Sequence, residues 1–408
     1  MQAIKMIIFS RRRLTLIFFL TIVSIQAFSQ DSLRLMQYNL MYYGKQTDYC
    51  TSSNNNIDTK NTEISKVINY YKPDIFAVNE LDGQSASPVA DDATYLLNNA
   101  LNTGGINYYK KVPFEEPIYL VNTLFYNHNK LGLKSYRPIR MHAGYFDKIF
   151  NVYRFYYKSE DLATTSDTLF FTCFVVHLKA GSGSAQERVE EAEVLMDYIQ
   201  NTIGVSGNYF ILGDLNVYHA DEPAFQKLIN PADTNFQFND PVNQLGDWHE
   251  NESFSAYHTQ STHSYGSCHS GGGMDDRFDF ILASDYVMDG TQGIQMIPDS
   301  YQALGQDGDN FNSALNTSSN ENVPESVASA LYTISDHLPV TMAVSIDKTP
   351  GVQITFDTVF YEPSKPRSKD SVRVYAQITD PEDRVDSLKV YWGTNSQLYT
   401  FSKWMPLD

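Results

Sequence analysis

The chain has 408 residues, of which 42% are hydrophobic and 13% aromatic, and its formal charge at pH 7 is −18. This composition excludes wholesale disorder, and the length suits one large domain with a small one or two medium domains. The negative charge excludes a protein that holds nucleic acid by charge neutralisation alone, so a polyanionic substrate would have to meet a local patch or bound cations.

Residues 1–29 have the features of a secretory signal peptide. Lys5 and the three arginines at 11–13 precede the apolar run LTLIFFLTIVSI, and Ala27 and Ser29 have the spacing of a cleavage site. A membrane anchor needs about 20 apolar residues, which exceeds this run, and no later segment predicts a span. We therefore expect export with cleavage after Ser29. Cleavage would remove four cations and no acid, and so shift the formal charge from −18 to −22.

Strands and helices alternate through residues 30–347. Short apolar runs indicate the strands, and apolar residues spaced by three and four positions indicate the helices. In chain order, we predict a strand in LRLMQYNLMYY, a helix in KNTEISKVINYYKP, strands in DIFAVNEL, TLFYN and TLFFTCFVVHLKAG, a helix in AQERVEEAEVLMDYIQNTI, and strands in YFILGDLNV, RFDFILAS and LPVTMAVSI. This order predicts one layered α/β domain.

The pattern changes at Thr349 to alternating strands and turns without helical spacing. Residues 348–408 resemble the first strands of a β-sandwich, but about sixty residues are too few for its seven strands. We therefore predict an incomplete β-sandwich-like module here. Such a module suits attachment to a cell surface or to another domain, and the sequence does not identify the partner.

The three cysteines do not imply a disulfide framework. Cys173 lies in the apolar run FFTCFVVHL and is predicted to be a buried thiol. Cys50 and Cys268 lie in polar loops, and the sequence leaves open whether they pair.

Polar side chains occur where the predicted strands end. Singly, each reads as a turn residue. Together they supply carboxylates for a hard cation, two imidazoles and two amides, which indicates an active site. These residues are Asn39, Glu80, His177, Asp214, Asn216, Asp279, Asp336 and His337.

The Asp336–His337 pair has two interpretations. Ser335 and Asp336 ahead of Pro339 are typical of a turn at the start of a strand. A carboxylate beside an imidazole is also typical of proton transfer. The other strand-end residues favour the catalytic interpretation.

The ordered motifs YN, NE, VVHLKAG, GDLN, DDRFDFI and SDHLPV resemble the endonuclease/exonuclease/phosphatase family, the deoxyribonuclease-I-like metal phosphoesterases. The resemblance covers about residues 31–347. It implies a four-layer α/β/β/α sandwich, in which two mixed sheets pack face to face with helices outside and the active site lies at one rim. The leader and the two histidines resemble the secreted branch of the family and imply a secreted bacterial type.

The resemblance also implies a metal site. Mg²⁺ is the expected cofactor, with Mn²⁺ as an alternative and Ca²⁺ as an additional structural ion. Glu80 would be the principal ligand, Asn39 would hold Glu80 and the metal shell in place, and Asp336 would join the metal site.

Catalytic roles follow from the same resemblance. Asp214 would orient or deprotonate the attacking water, and Asn216 would bond a phosphoryl oxygen. His337, held by Asp336 or a neighbouring acid, would bond the phosphate and share the proton transfer. Asp279 would support His177 across the site.

The sequence leaves two interpretations for each of the candidate substrate-binding residues. Lys179 is either a phosphate contact or a solvated lysine after a strand. Arg277 is either a phosphate clamp or the partner of a neighbouring surface aspartate. The loop HTQSTHSYGSCHSGGGMDD contains three histidines, matches no structural zinc spacing, and is interpreted as a mobile substrate-side loop.

Three functions remain in competition. The first is a secreted metal-dependent nuclease that cleaves DNA, or RNA as well. The second is a lipid head-group phosphodiesterase or phosphatase of the sphingomyelinase type, with the same catalytic residues. The third is a non-catalytic surface binding protein, which the complete set of site residues disfavours. The sequence leaves open endo- versus exo-cleavage, the preferred metal and the oligomeric state.

Overall fold

The fold is described from a computed structural model of the chain. The predicted signal peptide and the predicted domain junction after residue 347 lie outside the described residues. The described residues are 31–82, 91–115, 120–143, 146–159, 162, 168–347, 355–363, 371–379, 388–392 and 401–405.

The main elements alternate between strand and helix, as predicted. The strands are β1 (Asp31–Tyr43), β2 (Ile75–Asp82), β3 (Tyr109–Lys111), β4 (Leu120–Asn127), β5 (Leu131–Ala143), β6 (Phe146–Tyr157), β7 (Phe170–His177), β8 (Tyr209–Asp214), β9 (Phe238–Asn239), β10 (Asp279–Ser284), β11 (Ile294–Met296), β12 (Gln302–Ala303), β13 (Val340–Ile346), β14 (Thr355–Glu362), β15 (Arg373–Thr379), β16 (Leu388–Trp392) and β17 (Phe401–Met405). The α-helices are α1 (Ile57–Tyr71), α2 (Asp92–Leu96), α3 (Ala185–Asp197), α4 (Pro223–Ile229), α5 (Asp285–Asp289) and α6 (Glu325–Ile334).

The first thirteen strands form two mixed sheets. One sheet has the order β11-β13-β1-β2-β4-β3, with β12 paired to β13, and the other has the order β5-β6-β7-β8-β10-β9. Each sheet contains one parallel pair, β1–β2 in the first and β7–β8 in the second. Their remaining pairs are antiparallel.

Strand alternation divides the core into three layers of side chains. Leu35 of β1 and Leu212 of β8 belong to the apolar cluster between the two sheets. Met36 points to the opposite face, where it packs with residues of α1 and α6. Ile211 likewise belongs to the cluster formed with α3 and α4. The predicted four-layer α/β/β/α sandwich is therefore confirmed.

The two parallel pairs end at the same rim, where Asn79 of β2 joins the sheets. Its Nδ2 donates to the Val176 carbonyl of β7 at 3.0 Å, and its Oδ1 accepts from the Asp214 amide of β8 at 3.1 Å. Asn79 is fully buried, so these bonds form in a region of low dielectric and fix the strand ends relative to one another.

Several elements were not predicted from the sequence, among them the hairpin β5–β6 and helix α6. The long hairpin β5–β6 lies at one edge of the second sheet, and Pro138 sits in its outer strand, where a missing backbone donor is tolerated. Helix α6 buries Val327, Leu331 and Ile334, whose spacing of four and three was the available signal.

The C-terminal region contains β14–β15 and β16–β17, two antiparallel two-stranded sheets. Strand structure in this region agrees with the sequence pattern. The boundaries of the C-terminal module, and its assignment as part of a β-sandwich, stay predictions. None of the helices in the described part of the chain is long and apolar enough to cross a membrane.

Candidate active site

A cavity of about 430 Å³ opens at the rim where β1, β2, β7 and β8 end. Six predicted site residues line it, and the other two, Asn39 and Asp279, lie behind it in hydrogen bonds to lining or neighbouring site residues. The structure therefore brings all eight together. No lysine or arginine is among the described residues of the lining. The six lining residues are Glu80, His177, Asp214, Asn216, Asp336 and His337.

Strand register places three of these side chains in one row of the second sheet. His177 of β7 pairs with Asp214 of β8, and Asp214 pairs in turn with Asp279 of β10. His177 Nε2 lies 3.6 Å from Asp214 Oδ2 and 3.9 Å from Glu80 Oε1. The imidazole thus lies across two carboxylates from different sheets.

Asp279 holds His337, and the expectation that Asp279 supports His177 is wrong. His337 Nδ1 lies 2.7 Å from Asp279 Oδ2, and the pair is buried. The reason is topological, because β8 separates β10 from the strand that carries His177. Burial alone lowers the pKa of His337, but the charge of Asp279 and its hydrogen bond raise this pKa well above the usual histidine value.

Asp336 contacts His337 less closely than Asp279 does. Its Oδ1 lies 4.0 Å from His337 Nε2, while its Oδ2 accepts a hydrogen bond of 2.7 Å from the Ser270 amide. His337 Nε2 also lies 2.7 Å from Gln260 Nε2 and 3.8 Å from Asp214 Oδ2. His337 therefore turns Nδ1 toward a buried acid and Nε2 toward the cavity.

Asn39 joins the two sheets at the base of the cavity. Its Nδ2 donates to Glu80 Oε1 and to Asp214 Oδ2, both at 3.1 Å, and its Oδ1 accepts from the Met41 amide at 2.9 Å. Because its oxygen is engaged by an N–H group, Asn39 in this orientation positions two carboxylates. This agrees with the expected holding role.

Left-handed backbone is concentrated at the cavity. Four lining residues have positive φ without being glycine: Met41 at 45°, Tyr42 at 51°, Glu80 at 63° and Asn216 at 51°. Such a conformation costs about 1–3 kcal/mol per residue and persists where the surroundings enforce it. The backbone at these four positions is therefore strained, and this conformation directs the residues into the cavity.

The carboxylates raise one another's pKa. Burial and the charge of Asp336 raise the pKa of Glu80. Burial raises the pKa of Asp214 to about 7, with Asp279 and Glu80 adding to the increase and His337 opposing it. A carboxyl that titrates near neutrality suits a general base.

The donor set fits a divalent cation. Atoms of Asp214, Asp279 and His337 lie within 4.8 Å of one another and form a buried group that could hold such an ion. Asp279 Oδ1 is buried without a hydrogen-bond partner among the described residues. Glu80 and Asp336 add further oxygen donors to the same cavity, and a hard cation prefers oxygen ligands. A bound cation would offset the mutual repulsion of these acids.

The two predicted substrate-binding cations do not line the cavity. Arg277 is 1% exposed and donates to both carboxylate oxygens of Asp240 at 2.9 and 2.7 Å, so both predicted roles for it were wrong. Its guanidinium is held between aromatic rings, 4.5 Å from the centroid of Phe280. Lys179 is half-buried, with its amide bonded to Glu191 at 2.7 Å. A phosphate contact by Lys179 stays a prediction.

Asn216 lies on the cavity wall, and its bond to a phosphoryl oxygen stays a prediction. Its amide donates to Asp214 Oδ1 at 2.9 Å, and its Nδ2 donates to the Leu178 carbonyl at 3.2 Å.

The histidine-containing loop is anchored at several points, and its predicted mobility stays a prediction. His258 and His263 are buried, and a disulfide joins Cys268 to Cys50. The sequence left that pairing open. Cys173 is a buried thiol, as predicted.

Several contributors to the site were missed from the sequence. Gln260 and the Ser270 amide reach the Asp336–His337 pair from the anchored loop, and Asn79 ties both sheets together. The NE motif contains Asn79, which was a usable signal. Gln260 and Ser270 had none, because their positions depend on how the loop folds back onto β13.

Comparisons with known proteins agree with this geometry. The family model described as "Endonuclease/Exonuclease/phosphatase family" matches residues 36–337. No curated protein matches the chain. An endonuclease/exonuclease/phosphatase family protein from Bacteroides thetaiotaomicron is 14% identical at a TM-score of 0.50, covering 78% of this chain and 96% of that chain.

Two further solved structures are similar. D. rerio TDP2, complexed with single strand DNA product, is 15% identical at a TM-score of 0.48, with 77% of this chain and 98% of that chain covered. The human Nocturnin catalytic domain is 15% identical at a TM-score of 0.48, with 78% of this chain and 98% of that chain covered.

Proposed function

The chain belongs to the endonuclease/exonuclease/phosphatase family, and on this premise we propose that it is a secreted, divalent-metal-dependent phosphodiesterase that cleaves nucleic acid, DNA in the first place. One observation carries the proposal. Glu80, Asp214 and His177 meet the buried Asp279–His337 pair in a single cavity. Hydrolysis of a phosphodiester needs an oriented water, a proton acceptor and stabilisation of negative charge, and this set can supply them.

Glu80 and Asp336 are the proposed metal ligands, and Asn39 holds Glu80 in place. Bound Mg²⁺, or Mn²⁺ in its stead, would supply Lewis-acid stabilisation of charge on the phosphoryl oxygens. The oxygen donors around the cavity support this choice of a hard cation.

The remaining residues act on the water and the phosphate. Asp214 accepts the proton of the attacking water; burial and the neighbouring acids Asp279 and Glu80 raise its pKa above the ordinary carboxyl value, the direction that suits a proton acceptor. His337, kept cationic by Asp279, donates from Nε2 to a phosphoryl oxygen, and Asn216 donates to another. His177 lies opposite, against Asp214 and Glu80, and contacts the phosphate from that side.

Secretion, or display at the cell surface, has two supports. The leader has the pattern of a signal peptide. The Cys50–Cys268 disulfide suits an oxidising compartment outside the cytosol.

The test is nicking of supercoiled plasmid DNA by residues 30–408 in Mg²⁺ and in EDTA. We expect nicking in Mg²⁺ that EDTA abolishes and that His337→Ala loses. His219→Ala, an exposed histidine outside the cavity lining, is the matched control and should nick normally. Intact plasmid with the wild-type protein under Mg²⁺ and Mn²⁺ would contradict the nuclease proposal.

A lipid head-group phosphodiester is the second candidate substrate. The described cavity lining has no lysine or arginine, and the whole chain is strongly acidic, so a polyanion gains little from side-chain charge here. Hydrolysis of sphingomyelin in the same buffers, with plasmid left intact, would select this candidate. Absence of both activities would favour a binding protein.

A further inference from the structure

Lys60 of α1 is a buried lysine directly behind the cavity. Its residue is 2% exposed, and its Nζ donates to the carbonyls of Leu40 at 2.8 Å and Met41 at 2.6 Å. Among the described residues, no carboxylate lies within ion-pair distance of this ammonium. Burying a cation without such a partner is unfavourable, so an apolar side chain would suit a purely structural position better.

The carbonyls that Lys60 binds belong to the strained turn Leu40–Tyr42 at the end of β1. Pairing of β1 with β2 shifts register between Asn39 and Tyr43, and Met41 and Tyr42 have positive φ. The turn is therefore a conformation that the local sequence does not favour and that outside contacts must hold.

Contacts hold the turn from two sides. On the cavity side, the Met41 amide donates to Asn39 Oδ1 at 2.9 Å, and the Tyr42 amide donates to Glu80 Oε2 at 3.1 Å. On the side of α1, the Lys60 ammonium donates to the carbonyls of Leu40 and Met41. The Met41 and Tyr42 amides can face Asn39 and Glu80 only while the Leu40 and Met41 carbonyls face the lysine, because each amide shares a peptide plane with one of these carbonyls.

We propose that Lys60 is a positioning residue of the active site: its ammonium holds the turn Leu40–Tyr42 so that the Tyr42 amide fixes Glu80 for metal binding. This inference rests on the proposed metal-dependent function. Burial lowers the pKa of Lys60, while the charges of Asp336 and Glu80 raise it and favour the ammonium that binds the two carbonyls.

The experiment compares Lys60→Met with Lys66→Met, a partly exposed lysine of the same helix paired with Glu63. Mn²⁺ affinity is measured calorimetrically without substrate, and hydrogen exchange of the segment containing Met41 and Tyr42 is measured in EDTA. We expect Lys60→Met to weaken Mn²⁺ binding by about tenfold or more, as the loss of partners that orient metal ligands does. It should also lower kcat more than it raises KM and speed exchange in this segment, with Lys66→Met unchanged.

Two results would overturn the inference. Lys60→Met could fold and keep Mn²⁺ affinity and segment exchange at wild-type values. If Lys60→Met fails to fold, Lys60→Gln, which retains an N–H donor without the charge, is judged by the same measurements. Failure of both variants to fold would assign Lys60 to the fold alone. A wild-type protein that binds no Mn²⁺ would instead contradict the proposed function, while exchange in EDTA would still decide whether Lys60 holds the turn.

Discussion

At the residue scale, the buried Asp279–His337 pair decides the charge available inside the cavity. Asp279 accepts from His337 Nδ1 and favours the imidazolium, whose Nε2 also carries a proton on the cavity side. Gln260, at 2.7 Å from Nε2, would then present its side-chain oxygen to that proton. An amide at position 279 would keep the shape and remove the charge. The imidazole would then lose the largest contribution that raises its pKa, and the hydrogen bond that fixes its tautomer would no longer be to a carboxylate.

We predict that Asp279→Asn lowers kcat by about 100-fold or more, which is the usual contribution of a positioned acid or base. The far-UV circular dichroism spectrum should be unchanged. Steady-state kinetics on plasmid or on a small phosphodiester measures the effect, with Asp197→Asn, an exposed carboxylate on α3, as the control. A variant that keeps kcat within about threefold of wild type would contradict the role given to Asp279.

At the element scale, the Arg277–Asp240 pair fixes β10 against the segment after β9. The side chains of both residues are about 1% exposed, and Arg277 also donates to the Gln244 carbonyl at 3.2 Å. Breaking a buried pair by removing one partner costs about 3–5 kcal/mol, because the other charge remains buried. Asp279 is the first residue of the same strand, so this pair also supports the site.

We predict that Asp240→Asn lowers the free energy of unfolding at pH 7 by about 3 kcal/mol, measured by urea denaturation. Asp285→Asn is the control, since that exposed carboxylate also serves this edge by accepting from Asn239 at 2.7 Å. The control should change stability by about 0.5 kcal/mol or less.

The same pair predicts a pH dependence. Burial raises the pKa of Asp240, but Arg277 outweighs burial, and the folded-state pKa lies below the ordinary value. The contribution of Asp240 is therefore complete above its unfolded pKa of about 4 and is lost as the pH falls through the lower folded pKa. The stability gap between wild type and Asp240→Asn should be constant from pH 7 to 5 and narrow below pH 4. A gap that widens on acidification would contradict this assignment.

At the scale of the whole molecule, the sequence predicts the residues of the site better than their partners. Several strand ends were readable because a polar residue follows an apolar run, as His177 follows FFTCFVV and Asp214 follows YFILG. Asp279, Asp336 and His337 instead stand at or before the start of their strands. The sequence did not indicate which acid holds His337. That contact joins β10 of one sheet to the start of β13 of the other, and strand order is a property of the tertiary fold.

The role of Arg277 shows the same limit. In sequence it stands beside Asp275 and Asp276, yet it crosses to Asp240 and a set of aromatic rings. Local spacing indicates a surface ion pair, whereas packing buries the guanidinium. Lys60 was likewise unremarkable in the sequence, because only the folded turn presents its carbonyls to that helix.

The central claim is that this one cavity performs metal-dependent phosphodiester hydrolysis, whatever the natural substrate. Release of p-nitrophenol from bis(p-nitrophenyl) phosphate tests it most directly, with residues 30–408 in Mn²⁺, in EDTA and as Glu80→Gln. We expect hydrolysis in Mn²⁺ that EDTA abolishes and that Glu80→Gln reduces by about 100-fold, while Glu187→Gln, an exposed glutamate on α3, leaves it unchanged. Hydrolysis that persists in EDTA, or at full rate in Glu80→Gln, would contradict the account.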